Sequence, residues 1–137
     1  MIRTYTDEDY ESLRKLYEHP DWFGGIFDEA RDGRKRLADK VNSDPESLWL
    51  YERKGQLVGS ISLVDDGRVA WFFRFVVKDN DSVVAKELYD KAVSIFKARG
   101  HSQVLAYSPV DEPVLAKRYA DLGMTKGNSY TAYWTDI

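Results

Sequence analysis

The sequence predicts a mixed α/β domain, and three observations carry that expectation. Apolar residues recur at helical spacing in four stretches; runs of strand length, alternating or wholly apolar, lie between them; and turn residues separate the two kinds of segment. The expected order is strand, two helices, a three-strand meander, then helix–strand–helix–strand. With 137 residues, the chain suits one core and is too short for two ordinary domains, so residues 1–137 are read as a single domain.

Residues 1–5 read as a short strand. Thr6 follows with Asp9 three positions on, a capping-box arrangement, and Tyr10, Leu13, Leu16 and Tyr17 then mark one face of a first helix. Pro20 disfavours helical backbone at His19 and ends it. A second helix is expected over 27–41, with Ala30, Leu37, Ala38 and Val41 inward and Arg31, Arg34, Lys35 and Arg36 on a solvated face. Residues 48–53 and 56–64 are strands joined by Lys54-Gly55, and Asp66-Gly67 turns the chain into a third strand over 68–77. That third strand is almost wholly apolar, which predicts cover on both faces. Val84, Leu88, Ala92, Ile95 and Phe96 define a long helix stopped at Gly100. Residues 102–107 are the next strand, Pro113 opens a helix ending at Gly123, and 124–134 is a final strand in which Tyr130, Ala132 and Trp134 alternate.

Composition removes several classes of function. Hydrophobic residues at 43% and charged residues at 31% are globular proportions, not those of a disordered chain. With no cysteine there is no disulfide framework, thiolate nucleophile or thiolate metal site. The two histidines are far apart and the carboxylates scattered, so no metal site is expected. His19 is read as a helix C-terminal residue and His101 as an exposed turn residue. A formal net charge of −3 gives no general attraction to nucleic acid or anionic lipid. The polar opening lacks a signal-peptide stretch, and the longest apolar run, 71–77, is far below a membrane span. A cytoplasmic, water-soluble domain is expected, with no nucleic acid and no membrane among its partners.

Several local segments, in this order, resemble the GNAT superfamily of acyl-CoA-dependent N-acyltransferases. Ile2-Arg3 followed by Thr6-Asp7-Glu8-Asp9 and Leu13 is similar to the family's opening strand and helix, and Gln56-Leu57-Val58-Gly59-Ser60-Ile61 to its third strand. Ala116-Lys117-Arg118-Tyr119-Ala120-Asp121-Leu122-Gly123-Met124 resembles its Ala-x-x-Tyr-x-x-x-Gly-Phe helix, with Met124 in place of Phe. The resemblance implies a central, mixed but mostly antiparallel sheet of about six to seven strands flanked by about four helices. It also implies acetyl-CoA as cosubstrate and a small-molecule amine or protein amine as acceptor, with a homodimer allowed.

At the strand–helix junction the chain departs from the family motif Arg/Gln-x-x-Gly-x-Gly/Ala, whose glycines let backbone N–H groups approach a diphosphate. Counted back from the helix, Ala85 suits the last position, while Val83 replaces a glycine and Asn80 the Arg or Gln. Counted forward from the strand, the loop is shortened by about two residues; both alignments remain open. By resemblance the cosubstrate would lie against the backbone of Phe75, Val76 and Val77 and the turn formed by Asn80, Asp81, Ser82, Val83, Val84 and Ala85. Asp79 and Asp81 would oppose an anion there, Lys78 and Lys86 could offset them, and Asp81 or Ser82 could cap the helix.

In this family the amine attacks the thioester directly, so the protein supplies geometry and a proton for the leaving thiolate. The resemblance gives that donor role to Tyr119, against the simpler reading of a helix-face aromatic. Trp22 and Phe23 stand where the acceptor pocket is built, or else pack between the first two helices. The strand 68–77 contains no acidic residue, and no general base is nominated. Two other readings remain: a GNAT-fold domain with impaired catalysis that binds or regulates, and an unrelated α/β binding domain.

Overall fold

Three long strands of alternating or wholly apolar sequence form the body of an antiparallel sheet, and a short N-terminal strand completes it. The computed structural model describes residues 1–19 and 26–137. In chain order they form β1 (Ile2–Thr4), α1 (Tyr10–Glu18), α2 (Glu29–Asp32), α3 (Arg34–Ser43), β2 (Leu48–Arg53), β3 (Gln56–Asp65), β4 (Ala70–Val77), α4 (Ser82–Ala98) and α5 (Pro113–Asp121). The sheet order is β1-β2-β3-β4, every neighbour antiparallel. Lys54 and Gly55, at φ 51° and 74°, make the two-residue β2–β3 turn. Asp66 shapes the next turn by accepting from the N–H groups of Arg68 and Val69.

Each face of the sheet carries its own core. On one, Val84, Leu88, Ala92, Ile95 and Phe96 of α4 pack on Ile61, Leu63, Phe72, Phe75 and Val77. On the other, Tyr10, Leu13, Leu16 and Tyr17 of α1 and Leu37 of α3 cover Leu48, Leu50 and Val76. The face read for the first helix and the cover expected over the third strand are therefore present, although Phe73 stays 39% exposed. Gly59 lets α4 lie close on β3: a Cβ there would stand 2.6 Å from Val84 Cγ1 and 3.0 Å from Leu88 Cδ1.

β4 contains a bulge. Ser60 pairs with Val76 and Ser62 with Phe73, so a two-residue step on β3 faces a three-residue step on β4. Arg74 lies within that step at φ 50°, a left-handed conformation rare for a long side chain.

Five expectations change. The helix expected over 27–41 is two helices, because the chain leaves helical geometry at Gly33 (ψ 154°), and Asp28 caps the first by accepting from Ala30 N–H. That break turns Ala30 outward and buries Asp32. The sheet has four strands among the described residues rather than six to seven. Residues 102–107 make one parallel bridge, Trp71 with Leu105, and 124–134 joins no ladder, leaving Tyr130, Tyr133 and Trp134 76%, 93% and 84% exposed. Alternation marks a strand only when a partner covers one face, and here no neighbouring strand does so. Finally, the His101 side chain is buried against the Phe96 ring, with Nε2 2.8 Å from Asp65 Oδ2. The basic face at Arg34, Lys35 and Arg36 is exposed, as expected, and His19 holds the C-cap of α1.

Candidate active site

The far edge of β4 is where the fold opens. Phe72 N–H donates to Leu105 carbonyl and Leu105 N–H to Ala70 carbonyl, each at 2.9 Å. Among the described residues no further ladder joins the two segments past that bridge, and α5 reaches β4 there through Arg118. Pro113 suits the first turn of α5, whose N-cap Glu112 accepts from Val114 N–H; the helix stops before Gly123 at φ 83°. Helical spacing puts Arg118 one turn beyond Leu115, on the same inward face, and both are buried. Arg118 Nη1 donates to the Phe75 carbonyl at 2.8 Å, and Nη2 to Asn80 Oδ1 at 2.7 Å. Its guanidinium also lies 5.4 Å from the centre of the Phe75 ring.

The start of α4 tests whether an anion could sit as the family motif implies. A 3-10 turn, Lys78–Asn80, leads into the helix, with Asp79 and Asn80 both at φ 53°. Asp81 is the N-cap: Oδ1 accepts from Val83 N–H at 2.9 Å and Val84 N–H at 3.2 Å, while Ala85 N–H returns to the Asp81 carbonyl. Arg53 holds the other oxygen at 2.8 Å, and this pairing above all keeps the Asp81 carboxyl below its usual range. The amides that would meet a diphosphate are thus satisfied by a carboxylate of the chain itself. A diphosphate does not fit those amides as they stand.

Two cavities flank α5. One, of about 500 Å³, lies between α5 and the start of α4, and Asn80, Ser82, Ala85, Lys117 and Arg118 contribute to its wall. The other, of about 550 Å³, lies between α5 and the segments on either side of it, where Tyr107, Tyr119, Met124 and Tyr130 stand. Of the residues the sequence singles out, Asn80, Ser82 and Ala85 line the first and Tyr119 the second. Phe75, Val76, Val77 and Val84 bury their side chains in the core, so only their backbones are available to a ligand. Val83 points outward at 56% exposure and Asp81 is occupied as the cap. Burial pushes the Tyr119 hydroxyl above its ordinary pKa, with Arg118 partly opposing. Trp22 and Phe23 lie outside the described residues.

Sequence reasoning missed Arg118, Arg74 and Asp32. Arg118 had a signal: it stands three and four positions from Leu115 and Leu122, on one face of the same helix. Asp32 and Arg74 had none, because they are separated by 42 positions and meet only through the bulge and the break at Gly33. Among the described residues no group of His, Asp or Glu could hold a metal ion, and no helix is long and apolar enough to cross a membrane.

With this geometry in place, comparison with solved structures defines the class of fold. The chain superposes on the aminoglycoside antibiotic 6'-N-acetyltransferase AAC(6')-IG from Acinetobacter haemolyticus with a TM-score of 0.75 at 13% identity, covering 100% of this chain and 99% of that one. AAC(6')-Iy, solved with a CoA-linked bisubstrate analogue, gives 0.76 at 15% identity and 100% and 98% coverage. Glucosamine-6-phosphate N-acetyltransferase from Arabidopsis thaliana gives 0.71 at 17% identity and 99% and 98% coverage. No family model and no curated protein matches the sequence. The chain has the fold of the GNAT N-acetyltransferases.

Proposed function

We propose that this protein is an N-acyltransferase that moves an acetyl group from acetyl-CoA to a primary amine, on a small molecule or on a protein. The observation that carries this reading is that β4 pairs with residues 102–107 at the Trp71–Leu105 bridge alone, with a cavity of about 500 Å³ between α5 and the start of α4, in a fold shared with N-acetyltransferases. The bound thioester would supply the acyl group. Around it, the backbone of Phe75 to Val77 would orient the carbonyl for attack, with the pantetheine arm lying along the β4 edge. The amine nitrogen would bond to the carbonyl carbon as the carbon–sulfur bond breaks, the sulfur would take its proton from the Tyr119 hydroxyl, and the proton the amine gives to water would return through water to the Tyr119 phenolate. A phenol whose pKa is raised by burial stays protonated at neutral pH and is available as that donor. Trp22 and Phe23, in the stretch joining α1 to α2, are assigned to the acceptor side.

A second reading is favoured by Asp81. Its carboxylate fills the amide cradle at the start of α4, which suits a GNAT-fold domain with impaired catalysis that binds a ligand or partner. Calorimetric titration with acetyl-CoA, followed by thiol-release assays over a panel of amines, separates the two. Micromolar binding with amine-dependent release of CoA supports the transferase. Binding without release supports the regulator, and no heat at millimolar acetyl-CoA rejects the transferase.

A further inference from the structure

We propose that residues 125–137 of one copy enter the cavity between α5 and its flanking segments in a second copy, and that the second copy returns the same segment, making a strand-exchanged dimer.

The 125–137 arm is a strand without a ladder. Met124 N–H reaches the Tyr119 carbonyl, and beyond it the arm makes no backbone hydrogen bond among the described residues. Every residue of the arm is exposed, Tyr133 and Trp134 at 93% and 84%. Tyr130, Thr131, Tyr133, Trp134 and Thr135 are residue types that suit a pleated surface. From Gly127 to Thr135 there is neither a charge nor a proline, so the arm lacks the usual devices that stop a bare strand from pairing.

The receiving place is the cavity of about 550 Å³ that Ala106, Tyr107, Ala116, Tyr119, Ala120 and Tyr130 help to wall. Leu105 spends both its backbone groups on β4, so strand geometry directs those of Ala106 to the opposite edge. They have no backbone partner among the described residues. Ala116 and Ala120 lie one turn apart on α5, both exposed, and leave room there for large rings. A strand entering here pairs with residues 102–107 and packs its aromatic side chains on α5.

A second copy fits this place better than the chain's own arm. Gly-Asn is a hairpin dipeptide, and the tight hairpin turns need positive φ at the first central residue or at both. Neither Gly127 nor Asn128 has it, so the arm makes no tight turn back toward its own cavity. One chain thus carries both an unpaired strand and a place for one. Two-fold exchange satisfies both and leaves neither edge bare. The exchanged strand stands beside Tyr119, so the partner supplies one wall of the cavity that Tyr119 lines.

Sedimentation equilibrium and amide hydrogen exchange on the full chain form the test. The expected wild type is a dimer of twice 15.8 kDa whose amides at 131–135 are protected, with protection fading on dilution. Tyr133→Asp with Trp134→Asp reaches both faces of the strand and should raise the dimer dissociation constant roughly thirtyfold or more. Gly127→Asn with Asn128→Gly creates the favoured tight-turn dipeptide and keeps every aromatic, so it decides the matter if the first variant does not fold. This second variant should become a monomer with its arm still protected. A wild type that is monomeric at about 100 μM overturns the proposal, whether its arm is protected by its own chain or bare. So does a dimer whose arm exchanges freely, or one that the turn variant leaves as tight as wild type. None of these readings involves acetyl-CoA, so failure here leaves the transferase reading standing.

Discussion

The Arg74 guanidinium closes on the Asp32 carboxylate through two contacts, Nε to Oδ1 at 3.0 Å and Nη2 to Oδ2 at 2.9 Å, joining the bulge of β4 to α2. Asp32 is 2% exposed and is the one buried residue of α2. A helix of four residues cannot sustain itself, so α2 depends on this pair, on the Asp28 cap and on Asp28 N–H donating to Asp32 Oδ2 at 2.9 Å.

Removing one charge of a buried pair leaves the other without compensation. Asp32→Asn is expected to lower unfolding free energy by about 3–5 kcal/mol, read from urea denaturation. Replacing both residues with leucine should recover most of that loss. Equal losses in the single and double variants would mean the pair is not what holds α2.

The parts of the fold that were legible in the sequence are those whose signal is local. The α1 face, the α4 face and the two hairpin turns each come from a periodicity or a dipeptide within one element, and each is present. What sequence did not reveal depends on tertiary contact. Gly33 breaks a helix that Ala30, Leu37 and Val41 predict as continuous, and Asp32, just before the break, is buried against Arg74 from a distant strand. Residues 124–134 alternate as a strand should, yet alternation specifies a face and not a partner. At the candidate site, Asp81 could be read as a cap from its position before α4. That Arg118 reaches the Phe75 carbonyl, 43 positions away, could not.

Gly59 offers a test of the sheet–helix interface. An alanine methyl there would stand 2.6 Å from Val84 Cγ1, on a side chain that is fully buried. Gly59→Ala is expected to cost about 1–3 kcal/mol through overpacking, and Val84→Ala in the same chain should relieve part of it. Thermal melts of both variants check this; a stable single variant would show that α4 can shift away from β3.

Acid should act through Asp9. Arg3 grips its two oxygens at 2.8 and 2.7 Å, and Thr6 N–H donates to it at 2.8 Å. Arg3 is the foremost cause of an Asp9 pKa held below the usual carboxylate value. A carboxyl whose pKa is lower folded than unfolded adds stability that is fully present above its unfolded value, about 3.9. That contribution is lost as pH falls through the folded value. Asp9→Asn should therefore unfold at lower urea than wild type at pH 7, and the two midpoints should converge as pH drops below about 4. Parallel curves over that range would remove Asp9 from the acid response.

Tyr119 and Arg118 are neighbours in sequence that line different cavities. Tyr119 is proposed to act on the departing sulfur alone. Tyr119→Phe removes one hydroxyl and keeps the ring that packs against the core on the α4 side of the sheet. Under the transferase reading, turnover should fall by about a hundredfold, the lower range for loss of a general acid, while acetyl-CoA affinity stays near wild type. The raised pKa adds a second readout: wild-type turnover should not decline through loss of this proton until the pH exceeds that of an ordinary tyrosine, about 10. A thioester with a more acidic thiol needs less help in leaving, so such a substrate should narrow the gap between Tyr119→Phe and wild type. Unchanged turnover in the variant would leave Tyr119 as a packing residue and return the leaving thiolate's proton to water.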